Sequence, residues 1–238
     1  MNKKAARFAS TLFCVVIGVA AADDAVAVEL GLYVGGHVGL GSKDAPRDFY
    51  ELFNDDIQSF AFFTPTEQTS GFDDSDTAFG IAIGYRLTPH LAVEGGYSKL
   101  GQVTYRSRAS GNFPLEAGTV NVGIDTETTG FTVALLGVLP LSRDWELYAR
   151  AGALFANNKL SIDIRSQGQQ FIPPLGNRVA ASVSESTTEV HAGLGLGRRV
   201  FENYDLRLEY QRVFDAGVES SGGKGDLDAL LLGLIVTF

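Results

Sequence analysis

The sequence predicts an all-β chain, an eight-stranded antiparallel up-and-down transmembrane β-barrel with long extracellular loops and short periplasmic turns. Three observations lead there. Leu230, Leu232, Leu234, Val236 and Phe238 share one face of the final strand, while Ala229, Leu231, Gly233, Ile235 and Thr237 keep charge off the other. Apolar alternation recurs in about eight runs, joined alternately by short and long connections. The amino-terminal segment reads as a secretory signal and no later segment supplies a helical span, so insertion into a membrane must be by strands.

Lys3, Lys4 and Arg7 precede an apolar run from Phe8 to Ala22, short of the roughly 20 residues a spanning helix needs. Residues 1–27 are therefore expected to be a signal peptide, cleaved after Ala22 or Ala27, and residues 28–238 one barrel domain. Cys14 lies inside that segment, and Leu12-Phe13 before it lacks the small residue of a lipoprotein signal. The mature chain then has no thiol, and a closed hydrogen-bonded barrel replaces disulfides as its source of stability. Cleavage after Ala27 would remove Lys3, Lys4, Arg7, Asp23 and Asp24 and move the formal charge from −9 to −10. An acidic chain argues against nucleic-acid binding. It suits an external surface facing anionic lipid bridged by divalent cations.

The first strand, about Leu30 to Gly41, sets Leu32, Val34, Val38 and Leu40 against Tyr33, Gly35, His37 and Gly39. The second, Thr77 to Leu87, sets Phe79, Ile81, Ile83 and Tyr85 against Gly80, Ala82, Gly84 and Arg86 before a turn at Thr88-Pro89-His90. The third, Leu91 to Tyr105, opposes Leu91, Val93 and Tyr97 to Glu94, Gly96 and Ser98. The fourth, Thr128 to Leu139, carries Phe131, Val133 and Leu135 on its oily face and turns at Pro140 to Asp144. The fifth starts at Trp145 and places Glu146, Tyr148, Arg150 and Gly152 opposite Leu147, Ala149, Ala151 and Ala153. The sixth, Glu189 to Val200, sets Val190, Leu194 and Leu196 against His191, Gly193 and Gly195. After a Glu202-Asn203 turn, the seventh sets Leu206, Leu208, Tyr210 and Phe214 against Arg207, Glu209 and Gln211. One face is bulky and oily, the other small or charged, which fits lipid outside and a narrow polar lumen. Around Val120 to Ile124 and Leu160 to Ile164 the apolar parity flips, as a bulge or a sheet protruding beyond the bilayer would make it do. No internal repeat shows beyond the hairpin period.

The external connections are expected at Ser42 to Asp76, Arg106 to Glu127, Arg165 to Thr188 and Asp215 to Asp226. In the first, Arg47 to Asn54 can form a short helix. Its six rings, Phe49, Tyr50, Phe53, Phe60, Phe62 and Phe63, exceed scattered surface apolarity; they either pack over the barrel mouth or form a binding patch.

Leu206 to Gln211, Tyr148 to Gly152, the opening Leu32 to Gly36, the Glu94 to Tyr97 stretch and the Phe238 ending together resemble the eight-stranded OmpA-like outer-membrane barrel family. The resemblance spans the mature chain and covers the barrel only, without the periplasmic peptidoglycan-binding domain of full-length members. It implies residence in the outer membrane of a Gram-negative bacterium, among outer-membrane lipid and lipopolysaccharide. It also implies insertion by the barrel assembly machinery, which reads an aromatic carboxyl-terminal residue, here Phe238.

Glu94, Arg150, Arg207 and Glu209 all fall on the minority face, three to six residues beyond periplasmic turns, and so at similar depth. They are expected to form a structural ion-pair network in the lumen, with an ion-conducting gate as the functional alternative. An enzyme acting on lipid would need a serine beside a histidine base at an outward rim. His37 and His191 fall on the lumen face and His90 in a periplasmic turn, so no catalytic residue is assigned. Asp73-Asp74-Ser75-Asp76 lacks a full calcium-loop pattern and reads as a solvated charge run; neither metal nor cofactor is expected. Tyr33, Tyr85, Tyr97, Trp145, Tyr148, Tyr210, Phe214 and Phe238 are candidates for interfacial girdles. The expected role is non-enzymatic: membrane integrity, or surface interaction and adhesion to a host or matrix ligand through the loops. A small pore is the alternative and a lipid-modifying enzyme the third reading.

Overall fold

The structure, a computed structural model, describes residues 30–168, 177–217 and 224–238. The expected signal segment, residues 1–27, lies outside the described residues. In chain order the elements are β1 (Gly31–Lys43), α1 (Arg47–Phe60), β2 (Thr64–Asp73), β3 (Ser75–Thr88), β4 (Leu91–Asn112), β5 (Ala117–Pro140), β6 (Trp145–Gln167), β7 (Arg178–Phe201), β8 (Tyr204–Ala216) and β9 (Gly225–Thr237). All strand pairs are antiparallel.

Among the described residues, nine strands occupy eight places. β3 and β2 lie end to end along the same edge of β4, with Phe79 opposite Lys99 and Asp73 opposite Thr104. The pairing of β1 with both β3 and β9 closes the ring. No sheet edge is then left inside the membrane, where an unpaired backbone group would cost several kcal/mol. The turns at Pro89-His90, Leu141 to Asp144 and Glu202-Asn203 are short, as expected.

The outer end differs from the expectation of loops. The connection expected at Arg106 to Glu127 is almost wholly a hairpin of β4 and β5, that at Arg165 to Thr188 is largely β6 and β7, and that at Ser42 to Asp76 holds α1 and β2. Polar outward residues mislead here. Along β5 the outward positions Thr119, Asn121, Asp125, Glu127 and Thr129 are polar and Phe131, Val133 and Leu135 are apolar, while the chain itself never changes face. The pairing of β5 with β6 runs from Thr119 to Pro140 without a register shift. Solvent, not geometry, changes between Thr129 and Phe131. The parity flips at Val120 to Ile124 and Leu160 to Ile164 are therefore sheet protruding beyond the bilayer. Against β5, β4 slips at a bulge between Lys99 and Gly101, where Gly101 takes φ 143°, a conformation costly to any residue with a Cβ.

Above the bilayer, β2, β4, β5, β6 and β7 build a curved dome with its own core. Val103, Tyr105, Val120, Val122, Ile124 and Ile164 line its inner face, and α1 packs against them. The helix forms because Phe49, Tyr50, Phe53 and Ile57 make one apolar stripe while Asp48, Leu52, Asp55 and Asp56 face water. It runs to Phe60, beyond the expected end at Asn54, because Ile57 and Ala61 continue that stripe. Ala61 then donates to Ile57 O, and Phe62, at φ 52°, turns the chain into β2.

Candidate functional site

Two regions carry chemistry: the barrel interior and the dome. On β6 the inward positions read, from the periplasmic turn outward, Glu146, Tyr148 and Arg150, then Leu154 and Ala156, then Asn158, then Leu160, Ile162 and Ile164. A charged layer, an apolar layer, a polar layer and the dome core thus follow one another along a single strand.

The structure brings Glu94, Arg150, Arg207 and Glu209 together in the charged layer. Arg150 pairs with Glu94 and donates to Glu209 Oε1 at 2.8 Å; Arg207 donates to Glu94 Oε1 at 2.7 Å. Two tyrosines complete the carboxylates' acceptor needs, Tyr33 on Glu94 and Tyr148 on Glu209, each at 2.8 Å. The Arg207 guanidinium lies between their rings, 5.1 Å from that of Tyr33 and 5.0 Å from that of Tyr148. Below, Glu146 accepts from Arg86 at 2.5 Å and sits 3.7 Å from Arg207. Buried charges persist when paired, and every charge in this cluster is, although Arg150 Nε, Arg207 Nε and Glu146 Oε1 are buried without a hydrogen bond. Glu94, Arg150, Arg207 and Glu209 line a cavity of about 30 Å³, the size of a water or so.

Tyr33 and Tyr148 correct the girdle expectation: both are buried in this layer because their strand parity turns them inward. Tyr85, Tyr97, Trp145, Tyr210 and Phe238 are exposed on the outer wall or at its ends. Sequence reading placed Arg86 and Glu146 on the lumen face without joining them to the network; their common depth next to periplasmic turns was the available signal.

His37 Nε2 stands 3.3 Å from Ser98 Oγ and His191 Nδ1 3.0 Å from Gln211 Nε2, both inside the wall; the His90 ring sits 3.1 Å from the Val138 carbonyl. Leu100, Leu154, Val213, Leu227 and Leu231 form the apolar layer above the charges. Over it, Thr128 donates to Asn158 Oδ1 at 2.8 Å, Asn158 donates to Thr187 at 2.9 Å, and Lys43 and Glu189 are buried beside them. Asp73 Oδ1 accepts from Ser75 in the β2–β3 junction and Asp76 lies 3.4 Å from Lys99. Among the described residues no group of acids, histidines or cysteines is arranged to hold a metal ion.

The six aromatics separate. Tyr50 and Phe63 are buried, and Phe49 and Phe53 pack against the dome core. Tyr50 meets Phe72 at 5.4 Å and Tyr105 at 6.0 Å, and its hydroxyl lies 3.2 Å from Thr126 Oγ1; burial pushes that hydroxyl's pKa up. Phe60 and Phe62 do not join them: they are 68% and 78% exposed. Leu115, which the sequence reading did not single out, is 86% exposed in the β4–β5 turn. The two turns meet at the tip, where Thr64 pairs with Asn112 and the rings of Phe63 and Phe113 are 4.9 Å apart. On the dome's outer face, hydrogen bonds from Arg165 and Arg178 hold the Asp163 carboxyl below its usual range.

The orientation of the wall decides the class. Leu194, Leu208 and Leu232 point outward, about half exposed, while Arg150 and Glu209 are sealed inside. The chain matches the outer membrane protein beta-barrel domain family over residues 11–238. It belongs to that family. As an outer-membrane β-barrel it resides in the outer membrane of a Gram-negative bacterium. It is 23% identical over 222 residues to an uncharacterized protein of Coxiella burnetii, covering 87% of this chain and 85% of that one. Among solved structures, it is similar to Neisserial surface protein A (15% identity, TM-score 0.46, 87% of this chain and 97% of that one). It is also similar to the N-terminal β-barrel domain of Pseudomonas aeruginosa OprF (14% identity, TM-score 0.39, 86% and 97%).

Proposed function

We propose that this outer-membrane barrel is a non-enzymatic surface-interaction protein, whose closed lumen anchors a dome that meets partners outside the cell. One observation carries the reading. The chain builds a second core and a packed helix above the bilayer, yet leaves Phe60, Phe62 and Leu115 in water around the tip where the α1–β2 and β4–β5 turns meet. Large apolar groups stranded at the end of an ordered protrusion are the pattern of an interaction surface. A host-surface or matrix component is the partner class, and outer-membrane lipid with lipopolysaccharide surrounds the wall.

The pore alternative is less well supported. Paired charges and an apolar layer succeed each other along the lumen, and the cavity among the charges holds little more than one water. Cells displaying the protein with Phe60→Ser and Phe62→Ser together are expected to lose most binding to host-cell or matrix-coated surfaces, with folding checked by heat-modifiable gel migration. Undiminished binding in that variant and after removal of residues 47–60 would overturn the reading, as would steady conductance across a planar bilayer in favour of a pore.

A further inference from the structure

The dome carries opposite charges on its two sides. Across its outer side runs a row of arginines. Arg108 of β4 lies opposite Asn121 of β5, Asn121 opposite Arg165 of β6, and Arg165 opposite Arg178 of β7. Arg106 stands one row nearer the membrane on the same face, opposite Gly123. The carboxylates beside these groups do not cancel them. Asp125 accepts from Arg106 through both oxygens at 2.9 Å, and Arg165 and Arg178 share the one carboxylate of Asp163. Arg108 is exposed and has no carboxylate partner among the described residues. Residues 169–176, which join β6 to β7, contain no acid. The face is therefore positive on a chain of formal charge −9.

The other side is acidic. Because α1 packs Tyr50, Phe53 and Ile57 on the dome core, Asp48, Leu52, Asp55 and Asp56 point away from the sheet and into water. Arg47 is the one base of this helix, and Glu51 takes it. Asp48, Asp55 and Asp56 keep their charge, with Leu52, 66% exposed, among them.

The two surfaces stand at one height. Gln58 of α1 bonds Gln68 of β2 at 3.2 Å, and Gln68 lies opposite Ala109, the neighbour of Arg108. Asp55 precedes Gln58 by three residues, about 4.5 Å along a helix axis. Asp55 and Asp56 are thus level with Arg106 and Arg108, across the sheet from them. Equal height matters in a membrane, where every barrel keeps the same orientation and neighbours meet only at matching levels. An isologous contact through either surface would set like charges together, whereas a head-to-tail contact sets opposite charges together.

We propose that the arginine row of one copy docks on the acidic side of α1 of a second copy in the same membrane, so that the domes associate head to tail. Leu52 supplies an apolar centre, and the charges around it fix partner and direction. A heterologous contact of this kind leaves one surface of each kind free at the ends, so it builds rows or rings of barrels. The inference goes beyond the proposed surface interaction and uses neither Phe60 nor Phe62.

The test follows the full protein in lipid vesicles, with Glu202→Cys in a periplasmic turn carrying a donor or an acceptor dye. Energy transfer is expected above the level of randomly distributed barrels. It should fall as salt rises from about 0.1 to about 1 M, where the screening length shortens from about 10 to about 3 Å. Arg108→Glu with Arg165→Glu should weaken association about tenfold or more, and so should Asp55→Lys with Asp56→Lys. All four changes on one chain should restore it, because the charges are then exchanged and not lost. Heat-modifiable gel migration checks that each variant is folded. Transfer at the random level without these changes, association undiminished by either pair of changes, or no recovery with all four would overturn the proposal. If transfer stays random while tip-dependent binding to cell surfaces persists, this contact falls and the proposed function stands.

Discussion

The hydroxyl of Tyr33 donates to Glu94 Oε1 at 2.8 Å across 61 residues of sequence. The same relation recurs on the far wall between Tyr148 and Glu209, at the same distance and the same separation. Each tyrosine ring rests on a glycine, Gly84 or Gly195, where a Cβ would overlap the ring. The three strands of one set, β1, β3 and β4, stand four places round the ring from β6, β7 and β8 of the other. An approximate two-fold thus organises the lumen, although no sequence repeat announces it. The arginines break it, since Arg150 and Arg207 both come from the second set and Glu94 of the first receives both.

Glu94 is therefore the tie across the barrel. Glu94→Ala leaves buried Arg150 with Glu209 alone and buried Arg207 with only the more distant Glu146, which Arg86 already occupies, and is expected to destabilise the barrel by about 3–5 kcal/mol. Urea unfolding followed by gel migration measures it. A loss under about 1 kcal/mol would mean that the network is solvated.

Gly84→Val and Gly195→Val should act alike, because each displaces a tyrosine from its carboxylate. The expected cost is about 1–3 kcal/mol for either, read by the same unfolding assay. Unequal effects would show that the two-fold is geometric only.

The boundary between Thr129 and Phe131 can be located by charge. Val133→Arg, outward within the oily belt, should cost about 2–4 kcal/mol, and Asn121→Arg, outward on the dome, about 0–1 kcal/mol. Equal costs would remove the bilayer from that level.

Tyr50→Ala should cost about 3–5 kcal/mol locally, freeing α1 from the dome while the barrel stays folded. Amide exchange should quicken in residues 47–60 and not in β8. Acid should loosen the outer parts of β6 and β7 around Asp163 too: the depressed Asp163 pKa gives a contribution present above the unfolded carboxylate value of ~3.9 and lost as pH falls through the lower folded one.

Much of this was legible in the sequence. Period-two alternation fixed the facing of Leu208 against Glu209 and of Leu147 against Arg150, because lipid and lumen demand opposite chemistry at neighbouring positions. The dome was misread as loops, since Arg106, Arg108, Asp125 and Glu127 look like solvated chain when only their outward face meets water. The end of α1 was missed because Asn54 and Gln58 are polar yet buried. Tyr33 was misread as a girdle residue because an aromatic near a strand end suits one; its inward parity was the signal for the contact with Glu94 and was not used.

The most direct test of the account asks which side of the wall touches hydrocarbon. With Cys14 inside the expected signal segment, single cysteines can be placed at Leu194, Leu208 and Leu232, and at Arg150 and Glu209, and fluorescently labelled in lipid bilayers. Quenchers dissolved in the acyl region are predicted to dim the three leucine positions and spare the two charged ones. Dimming at Arg150 and Glu209 with the leucine positions reached only by water-soluble quenchers would contradict it.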